Sequence, residues 1–283
     1  MKQIQLNNGI TMPTLGFGVF QITDEKECEA SVLTALKTGY RLIDTAACYG
    51  NERAVGKAIK ESGIDRSEVF ISSKVWIQDA GYEKTKVSFE KTLQNLQTDY
   101  LDLYLIHMPY GDYYGSWKAM EDLYEEGKIK AIGVCNFETD RLVDLILNNK
   151  IVPAINQIEL HPFHQQTSLR EVMKKYEICP MAWAPFAEGM HHIFTNETLQ
   201  DIGKKYGKTP AQVILRWLLQ EQIIAIPKSV HEERIQENFN VENFTLEKED
   251  IAEIEKMDNA HSPILEIRSL EEVYRLYNIR FEQ

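Results

Sequence analysis

Short apolar runs alternate regularly with amphipathic stretches along this chain, and this alternation limits the folds it can adopt. The early runs end about 30 residues apart, which is enough chain for a strand and a crossover helix. A strand followed by a helix, eight times over, predicts an α/β protein with a (β/α)8 TIM barrel. The eight predicted strands are a run near Leu15–Val19, Arg41–Asp44, Val69–Lys74, Leu101–His107, Ile129–Cys135, Ala154–Ile158, Pro180–Ala184 and Ile223–Pro227.

Helix-start signals lie between these runs. Thr209-Pro210-Ala211-Gln212 combines a hydroxyl N-cap, proline at the first helical position and glutamine two positions further on, which predicts a capping box. Thr23 or Asp24 is expected to cap the first helix, which should end at Gly39. Thr139 is expected to cap a later helix.

The two ends of the chain are predicted to cover the two ends of the barrel. Asn8-Gly9 lies between the apolar segments Ile4–Leu6 and Ile10–Met12, a pattern typical of a β-hairpin that closes the end away from the site. The C-terminal extension Ser262–Gln283 is long enough to lie over or near the barrel mouth. Docking of this extension on the outer helices is the alternative.

Composition limits the class of protein. No linker or change in composition divides the 283 residues, so we expect one domain over residues 1–283. A net charge of -12 disfavours nucleic acid and anionic membranes as partners, because both would be repelled at long range. The four cysteines are widely spaced, which argues against a disulfide framework or a zinc site. Because the chain shows no signal-like apolar segment, we expect a cytoplasmic protein. We also expect a monomer or weak homo-oligomer.

Four polar residues follow or end predicted strands and so should gather at one end of the barrel. Tyr49 offers a phenolic proton, Lys74 a cation beside it, Asp44 a carboxylate for the cation and His107 an imidazole that can orient a carbonyl. Three of them have a plainer explanation when taken alone: Asp44 could cap a helix, Tyr49 could be a core aromatic, and His107 could be a buried histidine. Lys74 is harder to explain in this way, because a buried ammonium is costly without a partner or ligand. The combination indicates carbonyl chemistry. No metal site is expected, because the chain shows no set of ligands at a metal-binding spacing.

The segments that carry these residues resemble the aldo-keto reductase superfamily, in particular its bacterial methylglyoxal and 2,5-diketogluconate reductases. The resemblance covers nearly the whole chain. Its motifs are Gly39–Ala46 with Tyr49–Glu52, Ser73–Trp76, Asp99–His107, Gly133–Phe137, Asn156–Glu159, and Ile226–Ser229 followed by Arg234, Glu237 and Asn238.

The resemblance implies hydride transfer from a nicotinamide to a carbonyl carbon, with Tyr49 as the general acid. Lys74 is expected to lower the pKa of Tyr49 towards neutrality, and Asp44 to hold Lys74 in place. His107 would hydrogen-bond the substrate oxygen. The implied function is NADPH-dependent reduction of small aldehydes and ketones such as dicarbonyls, aldoses, keto-sugars and xenobiotic carbonyls. The alternative is a nicotinamide-binding regulatory subunit with slow turnover.

Cofactor and substrate residues are assigned by the same resemblance. Two cations and a hydroxyl could bind the 2′-phosphate that distinguishes NADPH from NADH, since guanidinium binds phosphate in bidentate fashion. These three are Lys228, Ser229 and Arg234, while Glu237 and Asn238 would contact adenine, Asn136 and Gln157 the carboxamide, and Trp183 the nicotinamide face. Cys135 replaces a usual serine, so one carboxamide hydrogen bond would be weaker. The substrate pocket is expected to include Phe20, Trp76 and Tyr110.

Overall fold

The structure, a computed structural model, describes residues 2–281. Met1, Glu282 and Gln283, which fall within the predicted domain and its C-terminal extension, lie outside the described residues. The strands are β1 (Gln3–Gln5), β2 (Thr11–Pro13), β3 (Phe17–Gly18), β4 (Leu42–Asp44), β5 (Phe70–Val75), β6 (Leu103–Ile106), β7 (Ile132–Cys135), β8 (Ile155–Glu159), β9 (Cys179–Trp183) and β10 (Ile224–Ala225).

Helices follow the barrel strands and cover the outside of the sheet. They are α1 (Glu25–Thr38), α2 (Glu52–Glu61), α3 (Tyr82–Leu96), α4 (Tyr113–Glu125), α5 (Thr139–Leu147), α6 (Thr167–Lys175), α7 (Glu197–Tyr206), α8 (Pro210–Gln220), α9 (Glu232–Phe239), α10 (Lys248–Glu255) and α11 (Leu270–Asn278).

Strands β3 to β10 form one parallel sheet in chain order, and its two edges meet. Ala225 joins them, because its carbonyl accepts from Gly16 N at 2.8 Å and its own N–H donates to Thr14 O at 3.0 Å. A Cβ at Gly16 would lie 2.5 Å from Leu42 Cγ, so glycine permits this close approach. The predicted (β/α)8 barrel is confirmed, with all eight strands present.

Residues alternate between the inside and the outside of the barrel along each strand, as the two-residue period of a strand requires. In β6, for example, Leu105 belongs to the inner cluster and Tyr104 to the outer layer against the helices. In β5, Phe70 belongs to the inner cluster, so Lys74, four residues later, also points inward. The same alternation turns Asp44 inward, two residues after Leu42.

The predicted hairpin is confirmed: β1 and β2 pair antiparallel with Ile4 opposite Met12. Met12 and Leu6 are buried against the inner barrel cluster, so the hairpin closes the end where the strands begin. The C-terminal extension lies at the other end, where Ile279 O accepts a 3.2 Å hydrogen bond from Trp76 Nε1 and Phe281 O accepts one from Gln78 Nε2 at 3.2 Å. The extension therefore covers part of the mouth, and the alternative of docking on the outer helices is wrong.

The helix-cap predictions have mixed outcomes. Thr209 forms the full capping box with Gln212, and Asp24 caps α1, which ends at Gly39 with φ 122°. The prediction for Thr139 is wrong, because Thr139 is already the first residue of α5 and Glu138 is its N-cap without a side-chain hydrogen bond. The Glu138 carboxylate instead pairs with Arg268 of the C-terminal extension. No helix within residues 2–281 has the length and apolarity needed to cross a membrane.

Candidate active site

A buried ion pair lies at the barrel mouth, where β4 and β5 end. Lys74 Nζ is 2.6 Å from Asp44 Oδ2 and also donates to Thr45 O at 2.8 Å. The Lys74 side chain is 0% exposed and that of Asp44 is 3% exposed. Because an ammonium out of water is costly unless its donors are satisfied, the third N–H of Lys74 is the informative one. It points to the Tyr49 hydroxyl, at 3.5 Å.

Tyr49 ends a short 3-10 turn, Ala47–Tyr49, that begins three residues after the last residue of β4, Asp44. This turn brings the phenol back over the end of its own strand, to within reach of Lys74 on the next strand. Burial raises the pKa of Tyr49 well above its ordinary value of 10, and the negative charge of Asp44 acts in the same direction. The hydroxyl therefore keeps its proton at neutral pH.

The direction of this pKa shift is opposite to the one expected from the sequence. A cation 3.5 Å from a phenol favours phenolate, but Lys74 already pairs with Asp44, so much of its field is cancelled. The loss of water around the phenolate then dominates. In the protein alone, the surroundings of Tyr49 therefore favour its protonated form over phenolate.

His107 follows β6 directly and lies beside the same phenol. Its ring centroid is 5.5 Å from that of Tyr49 and 4.9 Å from that of Trp76, and both contacts are edge-on. Burial, with a smaller contribution from the charge of Lys74, lowers the pKa of His107 well below 6.5. The imidazole is therefore neutral at physiological pH, and its Nδ1 is 3.4 Å from Cys48 Sγ.

Gln157 connects the predicted carboxamide site to the ion pair. Its Nε2 donates to Asp44 Oδ1 at 3.0 Å, so both carboxylate oxygens of Asp44 are engaged. Cys135 Sγ is 3.9 Å from Gln157 Oε1, a long contact that leaves this oxygen nearly free. A free amide oxygen and a neighbouring thiol fit a carboxamide ligand.

Asn136 and Trp183 lie together next to Gln157 at the ends of β7 and β9. Trp183 Nε1 donates to Asn136 Oδ1 at 2.8 Å, and Asn136 Nδ2 donates to His107 O at 3.2 Å. Asn136 has φ 59°, in the left-handed region that asparagine tolerates better than most residues. Asn136, the residue directly after β7, therefore fixes the position of the Trp183 indole.

The predicted phosphate residues lie after β10, at the start of α9. Lys228 and Arg234 are exposed, and neither forms an ion pair with any residue in the described part of the chain. Ser229 is buried, and its Oγ accepts from His231 N at 3.1 Å. Unpaired cations at the N-terminus of a helix suit an anionic ligand.

The predicted adenine residues, Glu237 and Asn238, lie in the last turns of α9. Glu237 Oε1 accepts from Thr209 Oγ1 at 2.7 Å, and so supports the cap of α8. Asn238 is buried. The structure thus places both residues on the same helix as Arg234, with Glu237 already engaged in a structural hydrogen bond.

The three predicted pocket residues differ in their surroundings. Phe20 is 49% exposed and packs 5.0 Å from the Tyr49 ring, while Trp76 is buried against His107. Tyr110 is covered by the C-terminal extension, because its hydroxyl donates to Ile267 O and its ring lies 5.9 Å from that of Tyr277. Trp76 and Tyr110 are thus two of the residues through which the extension is attached to the mouth.

Two features of the site were missed from the sequence. One is the contact of Cys48 with His107, and the other is the apolar cluster that Leu276 forms with Trp76 and Tyr110. The position of Cys48 directly before Tyr49 was the only signal for the first. Within residues 2–281, no group of three or more His, Cys, Asp or Glu side chains is arranged to hold a metal ion.

A family model described as "Aldo/keto reductase family" matches residues 14–259, and the chain belongs to this family. It is 48% identical to glyoxal reductase of Bacillus subtilis (strain 168), over 90% of this chain and 92% of that protein. It is 44% identical to methylglyoxal reductase DkgA of Escherichia coli (strain K12), over 90% and 93% of the two chains.

A solved structure of an aldo-keto reductase of Bombyx mori in complex with NADP superposes with a TM-score of 0.87. The two chains are 33% identical, over 92% of this chain and 94% of that one. The prediction of an oxidoreductase of this family, made from the motifs, is confirmed.

Proposed function

We propose that this chain reduces small aldehydes and ketones, dicarbonyls among them, with NADPH as the hydride source and Tyr49 as the proton donor. The single observation that carries the proposal is the convergence of Tyr49, Lys74 and Asp44 at one barrel mouth, with Lys74 Nζ 2.6 Å from Asp44 and 3.5 Å from the phenol. His107 completes the group from the neighbouring strand end. The names of the relatives from Bacillus subtilis and Escherichia coli support dicarbonyls as substrates.

The residues around the ion pair would hold the cofactor. Gln157 and Asn136 offer amide groups for a carboxamide, Trp183 offers an aromatic face, and Lys228 and Arg234 offer unpaired cations for a phosphate. These donors fit NADPH, and the NADP complex of the Bombyx mori relative supports the same cofactor. Bound NADPH supplies the hydride that reaches the carbonyl carbon.

The side chains of the protein would bind the carbonyl oxygen and protonate it. His107 hydrogen-bonds the oxygen and orients it, which matters because hydride transfer needs a defined approach. As negative charge develops on the oxygen, Tyr49 transfers its hydroxyl proton there and becomes phenolate. Lys74, 3.5 Å away, stabilises that phenolate, and Asp44 keeps Lys74 in position. Because its pKa is raised, Tyr49 is protonated before the reaction and can act as the proton donor.

The test follows the absorbance of NADPH with methylglyoxal, phenylglyoxal and 4-nitrobenzaldehyde for wild type and Tyr49→Phe. We expect turnover by the wild type and a loss of at least about 100-fold in the variant, because a positioned general acid contributes this much or more. Fluorescence titration should show equal NADPH affinity in both proteins, with NADH bound more weakly by both.

Two results would count against the proposal. Equal turnover by Tyr49→Phe would remove the phenol as proton donor. Tight NADPH binding by the wild type without turnover of any carbonyl would instead favour the regulatory-subunit alternative.

A further inference from the structure

Cys48 is the one thiol that meets the proposed catalytic group directly among the described residues: its Sγ lies 3.4 Å from Nδ1 of His107. We propose that Cys48 is a positioning residue; this proposal rests on the proposed role of His107 at the substrate oxygen. Its S–H donates to His107 Nδ1 and thereby keeps the imidazole proton on Nε2.

Both groups are neutral, so their contact is a hydrogen bond and not an ion pair. Burial raises the pKa of the Cys48 thiol to about 12, and burial lowers the pKa of His107 well below 6.5. A neutral imidazole has one N–H donor and one bare nitrogen acceptor, and a thiol has one S–H. One of the two groups must therefore donate to the other.

The thiol is the donor in the more favourable of the two arrangements. Sulfur is a weak acceptor, whereas a bare imidazole nitrogen is a good one. No other hydrogen bond of the Cys48 S–H to a residue within 2–281 is formed, so donation to Nδ1 is also what satisfies the thiol. With Nδ1 accepting, the single proton of the ring belongs to Nε2.

This tautomer is the one that can assist carbonyl reduction. No described residue hydrogen-bonds Nε2 of His107, so an Nε2–H is free to donate to a substrate oxygen. In the other tautomer a bare Nε2 lone pair would face the oxygen and repel it. The edge-on contacts with Tyr49 and Trp76 hold the ring plane, but they do not choose between tautomers. That choice falls to Cys48.

The first test reads the tautomer without substrate or cofactor. Nitrogen-15 NMR distinguishes a protonated from a bare ring nitrogen, and His107→Gln identifies the His107 signals among those of the seven histidines. We expect a bare Nδ1 and a protonated Nε2 in the wild type and in Cys48→Ser, which keeps a donor. We expect a measurable fraction of Nδ1-protonated ring in Cys48→Val, which lacks one.

The second test reads the consequence for the reaction. In Cys48→Val, kcat/KM for methylglyoxal should fall about three- to tenfold, the worth of one net hydrogen bond, with the Kd for NADPH unchanged. Cys48→Ser should restore most of this loss. The matched control is Cys179→Val, which removes a buried thiol at the start of β9, far from the mouth, and should keep wild-type kinetics.

The outcomes separate this proposal from the proposed function. A proton on Nδ1 of the wild type, or a Cys48→Val ring with the wild-type nitrogen pattern, overturns the role of Cys48 whatever the activity. A wild type that reduces no carbonyl ends the proposed function, while the NMR result still decides the tautomer. If Cys48→Val does not fold, Cys48→Ala removes the same donor.

Discussion

Two carboxylates bind cations at opposite ends of the barrel, with different consequences. At the mouth, Asp44 pairs with Lys74, whose side chain is 0% exposed. At the end where the strands begin, Asp102 directly precedes β6 and accepts from Arg66 Nη2 at 2.8 Å and from Lys130 Nζ at 2.9 Å. The Lys130 side chain is 43% exposed, so this second cation keeps its contact with water.

The second cluster is explained by stability alone. Asp102 also accepts from Ile71 N at 2.9 Å, and its two cations flank the Tyr100 ring at 4.1 and 4.2 Å from the centroid. Every contact there ties one strand or loop to another. In barrels of this type, that end generally serves stability and the opposite end serves function.

In terms of stability alone, the cluster at the mouth is costly. Removing an ammonium wholly from water is expensive, and an apolar pair of equal volume would often be as stable. What Lys74 does beyond pairing is to direct its third N–H at the Tyr49 hydroxyl. Complete burial of a cation beside an ionisable hydroxyl therefore distinguishes the cluster at the mouth from the cluster at the other end of the barrel.

The largest expected effect tests the mouth. Lys74→Met leaves Asp44 unpaired beside Tyr49, and its negative charge then opposes phenolate without a compensating cation. We expect kcat to fall by about 10²–10⁴-fold, the range of a general acid's contribution, in a steady-state assay with methylglyoxal. Breaking the buried pair should also lower the free energy of unfolding by about 3–5 kcal/mol in urea titrations.

The matched control is Lys130→Met, which removes a lysine from the other cluster. It should keep wild-type kcat and lose at most about 1 kcal/mol, because Lys130 is partly solvated. Similar kinetic losses in the two variants would break the distinction between the clusters.

The next effect tests the structural cluster. Asp102→Asn removes the charge that Arg66 and Lys130 share and weakens the hydrogen bond to Ile71 N. We expect the free energy of unfolding to fall by about 2–3 kcal/mol, because hydrogen bonds to charged groups contribute this much. Chemical denaturation measures the loss. At a temperature where the variant is fully folded, an altered kcat would show that the two ends are coupled.

The smallest effect concerns pH. The folded-state pKa of His107 is lowered, so the unfolded chain binds this proton first as pH falls below about 6.5, and stability is lost from there down towards the folded pKa. His107→Gln should reduce the slope of unfolding free energy between pH 6 and 5 by up to about 1.4 kcal/mol per pH unit. An unchanged slope would mean that the mouth admits a charged imidazole and that burial does not lower the pKa of His107.

Much of the fold and part of the site could be predicted from local pattern. The strand runs ended within a few residues of the observed strands, and the two-residue period alone turns Asp44 and Lys74 into the barrel. The capping box of Thr209 is local and was predicted correctly, whereas the cap predicted at Thr139 is wrong because α5 already begins at that residue. The assigned cofactor and pocket residues remain proposals.

The burial of individual side chains and their contacts with distant residues could not be predicted from the local sequence pattern. The pKa of Tyr49 rises because water is excluded around it, and neither the residue nor its neighbours in sequence reveal that exclusion. Cys48 meets a ring nitrogen of His107, which lies 59 positions later. The extension reaches Trp76 and Gln78 from 203 positions away.

By itself, the sequence determined the alternation of strand and helix, the family, and which chemical groups would stand at strand ends, because these depend on periodicity and on motifs of contiguous residues. Only the tertiary structure decided that Tyr49 holds its proton, that both oxygens of Asp44 are engaged, and that the tail lies over the mouth. The reason is physical: solvation and hydrogen bonding depend on three-dimensional neighbours, and barrel closure brings together residues that the chain keeps far apart.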